Sequence, residues 1–142
     1  MTETAISILI KRASLAFDKT ANELLLDFEL TNTQFKTLKY LYRHDQLSIT
    51  QKKLEDYFDM SNPTVTGILQ NLEKKDFIYR VANPNDARSK VIGLTDKSLA
   101  IKEKMLTLGS QMDDLLTERL QEDEKAQLTK LLSKMLGDKH AD

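Results

Sequence analysis

Ser61, Asn62, Thr64, Thr66 and Gln70 are hydroxyl and amide side chains packed into ten residues of the chain. Such groups donate and accept hydrogen bonds without carrying charge. Asn62, Thr64, Thr66, Gly67 and Gln70 fall on one side of a helix whose other side carries Val65, Ile68, Leu69 and Leu72 at helical spacing. A solvated face would be rich in charge, whereas this one is short, small and neutral. It has the chemistry needed to lie against the edges of bases. A second polar run follows at Asp86, Arg88, Ser89 and Lys90, where one acid faces two cations.

The elements that would hold these groups can be read outward from them. Ser61 or Asn62 can cap the helix, and Pro63 fits its first turn, where a missing N–H costs nothing. After Lys75 the pattern changes. Phe77-Ile78-Tyr79-Arg80-Val81-Ala82 and Val91-Ile92-Gly93-Leu94 are rich in β-formers and flank a polar loop, Asn83–Lys90, with an Asn-Pro-Asn-Asp tip. That is a β-hairpin. Upstream, Thr31-Asn32-Thr33-Gln34 has the form of a capping box opening a helix with Phe35, Leu38, Leu41 and Tyr42. Ser48-Ile49-Thr50-Gln51 offers a second box before a short helix carrying Leu54, Tyr57 and Phe58, the last two expected in the core beneath the next helix. The gap to Ser61 leaves room only for a tight turn, which is helix-turn-helix spacing. A cap-first helix with a short polar face, followed by a basic hairpin, suits a DNA major groove with a wing alongside.

The flanking segments carry a different message. Ile6, Leu9, Ala13, Ala16, Phe17, Leu24 and Phe28 mark a long helix over about 5–28, with Leu15, Leu25 and Leu26 off that stripe. Another helical stretch, about 96–137, places Leu99, Met105, Met112, Leu115 and Leu120 in line. It breaks near Gln121–Glu124 and resumes with Leu128, Leu131, Leu132 and Met135. This is more apolar surface than a winged core of about 31–95 can cover, and a helix apolar on several sides must be buried somewhere. A second copy, related by a two-fold axis, is the expected cover; the alternative is one self-contained bundle.

Composition narrows the classes. The chain has 142 residues and 40% hydrophobic content, room for one domain, with only 4 Gly and 2 Pro, so a mainly α fold is expected. Cysteine is absent, which removes disulfides, thiolate metal sites and thiol oxidation chemistry. The two histidines, His44 and His140, stand apart, so no metal site and no cofactor are expected. Apolar runs such as Ile8-Leu9-Ile10 are too short to span a bilayer, and the N-terminus lacks a signal-peptide pattern, so a cytoplasmic, soluble protein is expected. No nucleophile–base pair or glycine-rich phosphate loop is visible, and an enzyme is not expected. Net charge is −1: residues 1–47 carry 6 basic and 6 acidic groups, 48–95 carry 7 and 6, and 96–142 carry 8 and 10. The excess is small, so placement of charge matters more than its sum, and charge alone does not point to DNA.

Leu30-Thr31-Asn32-Thr33-Gln34-Phe35, Ser61-Asn62-Pro63-Thr64-Val65-Thr66, Leu72-Glu73-Lys74-Lys75, Asp86-Ala87-Arg88-Ser89-Lys90 and Gly93-Leu94-Thr95 occur in a fixed order and spacing. In these segments the chain resembles the MarR family of bacterial winged-helix regulators, along essentially its whole length. The resemblance implies a single MarR-like domain over 1–142: a winged helix-turn-helix core flanked by N- and C-terminal dimerisation helices. It implies a homodimeric regulator, usually a repressor, that reads a pseudo-palindromic double-stranded operator and is released by a small ligand.

Carried over by position, Asn62, Pro63, Thr64, Thr66 and Gln70 would meet base edges or phosphates. Ser61 and Thr50 would meet phosphate from helix N-termini, where unpaired N–H groups favour anions, though each also reads as a plain cap. Arg88 would enter the minor groove, Asp86 would hold the wing by pairing with an arginine, and Ser89 and Lys90 complete the wing motif, Lys90 on the DNA backbone. The resemblance also places a ligand pocket where the first helix meets the winged core. Phe17, Phe28, Tyr40 and His44 are its candidate walls, suited to an aromatic or other planar anionic effector, and each also reads as ordinary packing.

Two positions depart from the family pattern. Gly67 stands where a basic residue is common, and Asp76 stands where a glycine usually ends the helix; Asp tolerates the left-handed conformation that this requires. Gly67 and the acidic balance keep a competing reading open, a winged-helix protein-interaction module without DNA binding.

Overall fold

The computed structural model describes residues 4–137; His140 lies outside the described residues. Helix α1 runs Ile6–Leu24, a 3-10 turn covers Leu26–Phe28, and α2 runs Asn32–Tyr42. The first helix therefore stops short of Phe28, although its apolar periodicity continues. The chain reverses at Glu29, whose φ of 56° is left-handed. The reversal is pinned by polar groups of α1: the Asn22 Oδ1 accepts from the Asn32 N–H at 2.9 Å, and Asn32 Nδ2 donates to Asp18 at 2.7 Å. Thr31 and Gln34 form the expected capping box, each side chain accepting from the other's N–H at 3.2 Å.

A two-residue strand β1 (Ile49–Thr50) leads into α3 (Gln51–Phe58). The cap of α3 is Thr50, which accepts from the Lys53 N–H; Ser48 turns back to donate to the Asp45 carbonyl at 2.7 Å. The box expected at Ser48 is thus displaced by two residues, because Ile49 and Thr50 are drawn into a sheet. Helix α4 (Asn62–Lys74) follows a left-handed Asp59. Strands β2 (Ile78–Asn83) and β3 (Asp86–Leu94) form the wing, and β1 joins them in the antiparallel order β1-β3-β2. β1 supports only the base of the wing, pairing Ile49 with Ile92 and Thr50 with Val91. Gly93 sits opposite Tyr79, and a Cβ there would come within 2.3 Å of the tyrosine ring, so only glycine lets that ring cross the strand.

The C-terminal segment is broken twice: α5 (Asp96–Ala100), α6 (Lys102–Leu116) and α7 (Glu122–Met135). Thr95 caps α5, and the Glu124 carboxylate accepts from the Gln121 N–H at 2.8 Å to open α7. Phe35, Leu38, Leu54, Leu69 and Leu72 form the centre of one buried cluster, which Ala21, Leu25, Met105 and Met112 extend into α1 and α6. Tyr42 ties α2 to α5, its hydroxyl donating to the Ser98 carbonyl at 2.7 Å, and burial pushes that phenol up to about 12. α7 buries no residue in the protomer.

Candidate nucleic-acid interface

Helix α4 begins at an exposed cap. The Ser61 Oγ accepts from the Thr64 N–H at 3.3 Å and lies 2.9 Å from the Thr64 hydroxyl. Val65, Leu69 and Leu72 hold the helix in the core, Ile68 is half-buried, and Ser61, Asn62, Pro63, Thr64 and Gln70 are exposed. Two groups of the polar face already have protein partners. Asn62 Nδ2 donates to Glu55 at 2.9 Å, and the half-buried Thr66 hydroxyl accepts from Gln51 Nε2 at 2.9 Å. Gln51 also donates to the Asn62 carbonyl at 3.3 Å, so the first residue of α3 holds the start of α4 in place. Gln51 appeared in the sequence only as the end of a misplaced capping box; its true role follows from Thr50 being the cap. At Gly67 a Cβ would meet nothing within 4 Å. The open space beside this half-buried glycine is on the protein side free of any packing demand.

The C-terminal end of α4 is closed by a Schellman pair. Phe77 N–H donates to the Leu72 carbonyl at 2.9 Å and Asp76 N–H to that of Glu73 at 3.0 Å, with Asp76 at φ 65°. Aspartate takes the left-handed position in this chain, as expected. Two lysines tie the same end to other elements: Lys97 Nζ of α5 reaches the Lys75 carbonyl at 2.6 Å, and Nζ of Lys75, the C-cap of α4, reaches the Glu29 carbonyl at 2.5 Å and Gln34 at 3.0 Å. These contacts link α4 to the α1–α2 junction and to α5. They join residues 22 to 46 positions apart, beyond any local pattern.

The wing differs from a simple loop at Asn83–Lys90. Asn83 pairs with Asp86, leaving Pro84 and Asn85 as the tip, and Ala82 pairs with Lys90. Ala87, Arg88 and Ser89 therefore have no partner on β2 and bulge from β3. A bulge turns a strand and re-aims its side chains. Here it carries Arg88 outward, with 92% of its side chain exposed. Asp86 accepts from the Arg88 N–H at 3.0 Å and lies 3.3 Å from its Nε, and Ser89 accepts from Asn83 Nδ2 at 3.1 Å. Lys90 is exposed at the end of the bulge. Thr50, Gln51, Asn62, Arg80, Asp86, Arg88, Ser89 and Lys90 line one open cleft of about 640 Å³ between the helix pair and the wing. Thr64, Thr66 and Gln70 lie along α4 outside that cleft.

The residues expected to wall a ligand pocket are not gathered in the protomer. Phe17 lines an apolar groove of about 560 Å³ between α1, α6 and α7, and Phe28 a depression of about 380 Å³ beside α6. Tyr40 lines a cavity of about 200 Å³ with Lys36, Lys39, Arg43, Tyr57 and Phe58. His44 stacks on Tyr40 at 4.3 Å between ring centroids, and Tyr57 packs on the same ring at 4.5 Å. Tyr57 and Phe58, expected in the core, are half-buried: Phe58 packs against the core as well as in this aromatic cluster, and Tyr57 belongs to the cluster. The sequence carried one signal for it: Lys36, Lys39, Tyr40 and Arg43 share a helix face. Among the described residues, no group of three or more metal-ligating side chains is present and no helix is long and apolar enough to cross a membrane.

A capped helix held at the surface behind a helix-turn-helix, beside a wing that projects an arginine, defines a winged helix-turn-helix DNA-binding regulator. Comparison with known proteins narrows this. The MarR family model matches residues 30–90. The multiple antibiotic resistance protein MarR of Escherichia coli is 33% identical over 129 residues, 90% of this chain and 88% of that protein. The uncharacterized HTH-type transcriptional regulator YdcH of Bacillus subtilis is 33% identical over 96 residues, 66% of this chain and 65% of that protein's length. A crystal structure of the S. aureus MepR–DNA complex superposes with a TM-score of 0.85 at 35% identity, covering 96% of this chain and 99% of that one. The chain belongs to the MarR family. Nothing in these likenesses favours a protein-interaction module over DNA binding.

Proposed function

We propose that two copies of this chain pair through α1, α6 and α7 and present two α4–wing units to a pseudo-palindromic operator, repressing transcription until a small effector releases them. The observation that carries the reading is the pairing of an exposed, capped α4 with Arg88 on the wing bulge, across one cleft where the cations Lys52, Arg80, Arg88 and Lys90 outnumber the carboxylates Glu55 and Asp86. In this reading Asn62, Pro63, Thr64, Thr66 and Gln70 meet base edges or phosphates in the major groove, and Ser61 and Thr50 meet phosphate. Asn62 and Thr66 exchange Glu55 and Gln51 for DNA as they bind. Arg88 enters the minor groove, Asp86 and Ser89 shape the bulge, and Lys90 contacts the backbone. The partner for the apolar terminal helices is a second copy, since the same unpartnered stripe on each chain can cover its mate. The protein works as one cytoplasmic, non-catalytic domain without a metal or cofactor.

For the effector, the α2–α3 cavity supports an aromatic anion. Three aromatic rings and three cations line it, and burial lowers the pKa of Lys39, so a bound anion would stabilise a charge that the free protein holds at a cost.

The test is a titration of the purified protein against labelled duplex from its own upstream region, beside a scrambled duplex, at several salt concentrations. Tight, sequence-dependent binding that falls steeply with salt is expected. Benzoate should release the complex where cyclohexanol does not. Equal affinity for both duplexes, repeated against a genome-wide pool of sites, would overturn the operator reading.

A further inference from the structure

Along β2, Ile78, Arg80 and Ala82 share the face turned toward the body of the protein. Ile78 is buried, Arg80 half-buried and Ala82 exposed, so Arg80 is the last side chain on this face before the wing leaves the body. Its Nη2 donates to Glu73 Oε1 at 2.5 Å, with 22% of the arginine and 35% of the glutamate side chain exposed. Glu73 belongs to the final turn of α4, the turn fixed by the Schellman pair. Support for the wing is lopsided. β1 props β3 at Val91 and Ile92, while β2 is an edge strand, with no strand on its outer side among the described residues. A two-stranded ribbon has little stability or stiffness of its own. From Arg80 to Asn83 the strand runs on for about 10 Å, so a tilt of about 10° at Arg80 moves the tip by about 2 Å.

We propose that the Arg80–Glu73 ion pair is a brace that sets the angle between wing and α4, making Arg80 a positioning residue for simultaneous contact with both grooves. The proposal rests on the DNA-binding reading but acts through the geometry of the protein alone. The half-buried pair is shielded from water more than a surface bridge, and the Arg80 Nε is buried without a partner among the described residues. Its contact with Glu73 is what compensates the guanidinium for leaving water.

The deciding variant is Glu73→Met. It removes a negative charge close to a polyanion, so simple electrostatics makes DNA binding tighter. A brace makes it weaker. Glu73→Met and Arg80→Met should each weaken operator binding by about tenfold, as loss of a charged hydrogen bond implies. The slope of log affinity against log salt should stay that of the wild type, and the double exchange Arg80→Glu with Glu73→Arg should recover most of the loss. In the free protein, hydrogen exchange at the amides of β2 should quicken in both single variants while α1 and α6 are unchanged. Operator binding by Glu73→Met at or above the wild-type affinity would overturn the brace. So would unchanged exchange in the wing, or a salt slope lowered in Arg80→Met by about 0.9, the signature of a lost phosphate contact. A wild type without salt-sensitive binding would sink the DNA reading instead, and the exchange data would still decide the brace.

Discussion

In the winged core Phe35, Leu38, Leu54, Leu69 and Leu72 are each at most 2% exposed, whereas in the terminal helices Ile6 is 70%, Leu131 58% and Met135 61% exposed. Both regions are built from the same apolar residue types at the same helical spacing. They differ in what surrounds them. α2, α3, α4 and the sheet close on one another, so the core completes itself within one chain. The first turns of α1 are exposed and α7 buries no residue there, with Leu128 and Leu132 only partly covered in a groove against α1. So many leucines on an uncovered surface are what the proposed second copy would cover.

The largest test of this contrast lies in α7. Leu128 and Leu132 line the apolar groove with α1 and are each 39% exposed. Leu128→Glu with Leu132→Glu should leave the winged core folded by circular dichroism and make the protein monomeric by sedimentation. Operator affinity should then fall by about 10²–10⁴, the loss expected when two linked binding events become one. A dimer that survives both substitutions would move the interface elsewhere. The mirror experiment is Leu69→Ala, at 0% exposure in the core. It should cost about 2–5 kcal/mol of stability through the cavity left behind, measured by chemical denaturation, without changing which surfaces pair. If instead the α7 variant lost stability and the core variant lost the dimer, the two regions would be energetically one.

The same contrast explains what could be read in the sequence. The cap at Ser61, the capping box at Thr31, the hairpin and the left-handed Asp76 are local features, each decided by a few neighbouring residues, and the family resemblance rests on them. Features set by distant partners were not legible. β1 is two residues long and exists because β3 accepts it; that pairing moved the α3 cap from Ser48 to Thr50. The end of α1 is hidden because Leu24 and Phe28 carry the apolar stripe through the 3-10 turn, right up to the reversal at Glu29 that Asn22 and Asp18 hold. Phe17, Phe28 and Tyr40 are candidate pocket walls by resemblance and residue type, but helix packing sends them to three cavities. The wing bulge reads as a loop in the sequence because nothing local distinguishes a polar loop from a bulged strand.

A smaller effect sharpens the comparison on the DNA side. Arg88 is held to the protein by one exposed pairing with Asp86, which contributes little to stability. Arg88→Ala should therefore weaken operator binding by about 1–3 kcal/mol while dimerisation and melting temperature stay as in the wild type. Fluorescence anisotropy with operator duplex measures the first, and sedimentation and calorimetry the second. Equal operator affinity in variant and wild type would remove Arg88 from the reading surface.

The smallest effect belongs to Gly67, where stability and recognition make opposite demands on one position. Glycine inside a helix costs about 0.5–1 kcal/mol relative to alanine, chiefly through the freedom of the unfolded chain. At this site a Cβ would meet no protein atom within 4 Å, so packing gives no reason for the glycine. Gly67→Ala should accordingly raise the stability of the free protein by about that amount, read from denaturant midpoints at constant slope. What the free protein gains, the complex should lose: Gly67 belongs to the polar face of α4 that would approach DNA in the proposed reading, and an added methyl there would hold the backbone off the bases. Weaker operator binding in a more stable protein would show that the glycine is kept for the groove. A variant both more stable and equally tight on DNA would mean that base reading lies nearer the cap, at Asn62 to Thr64.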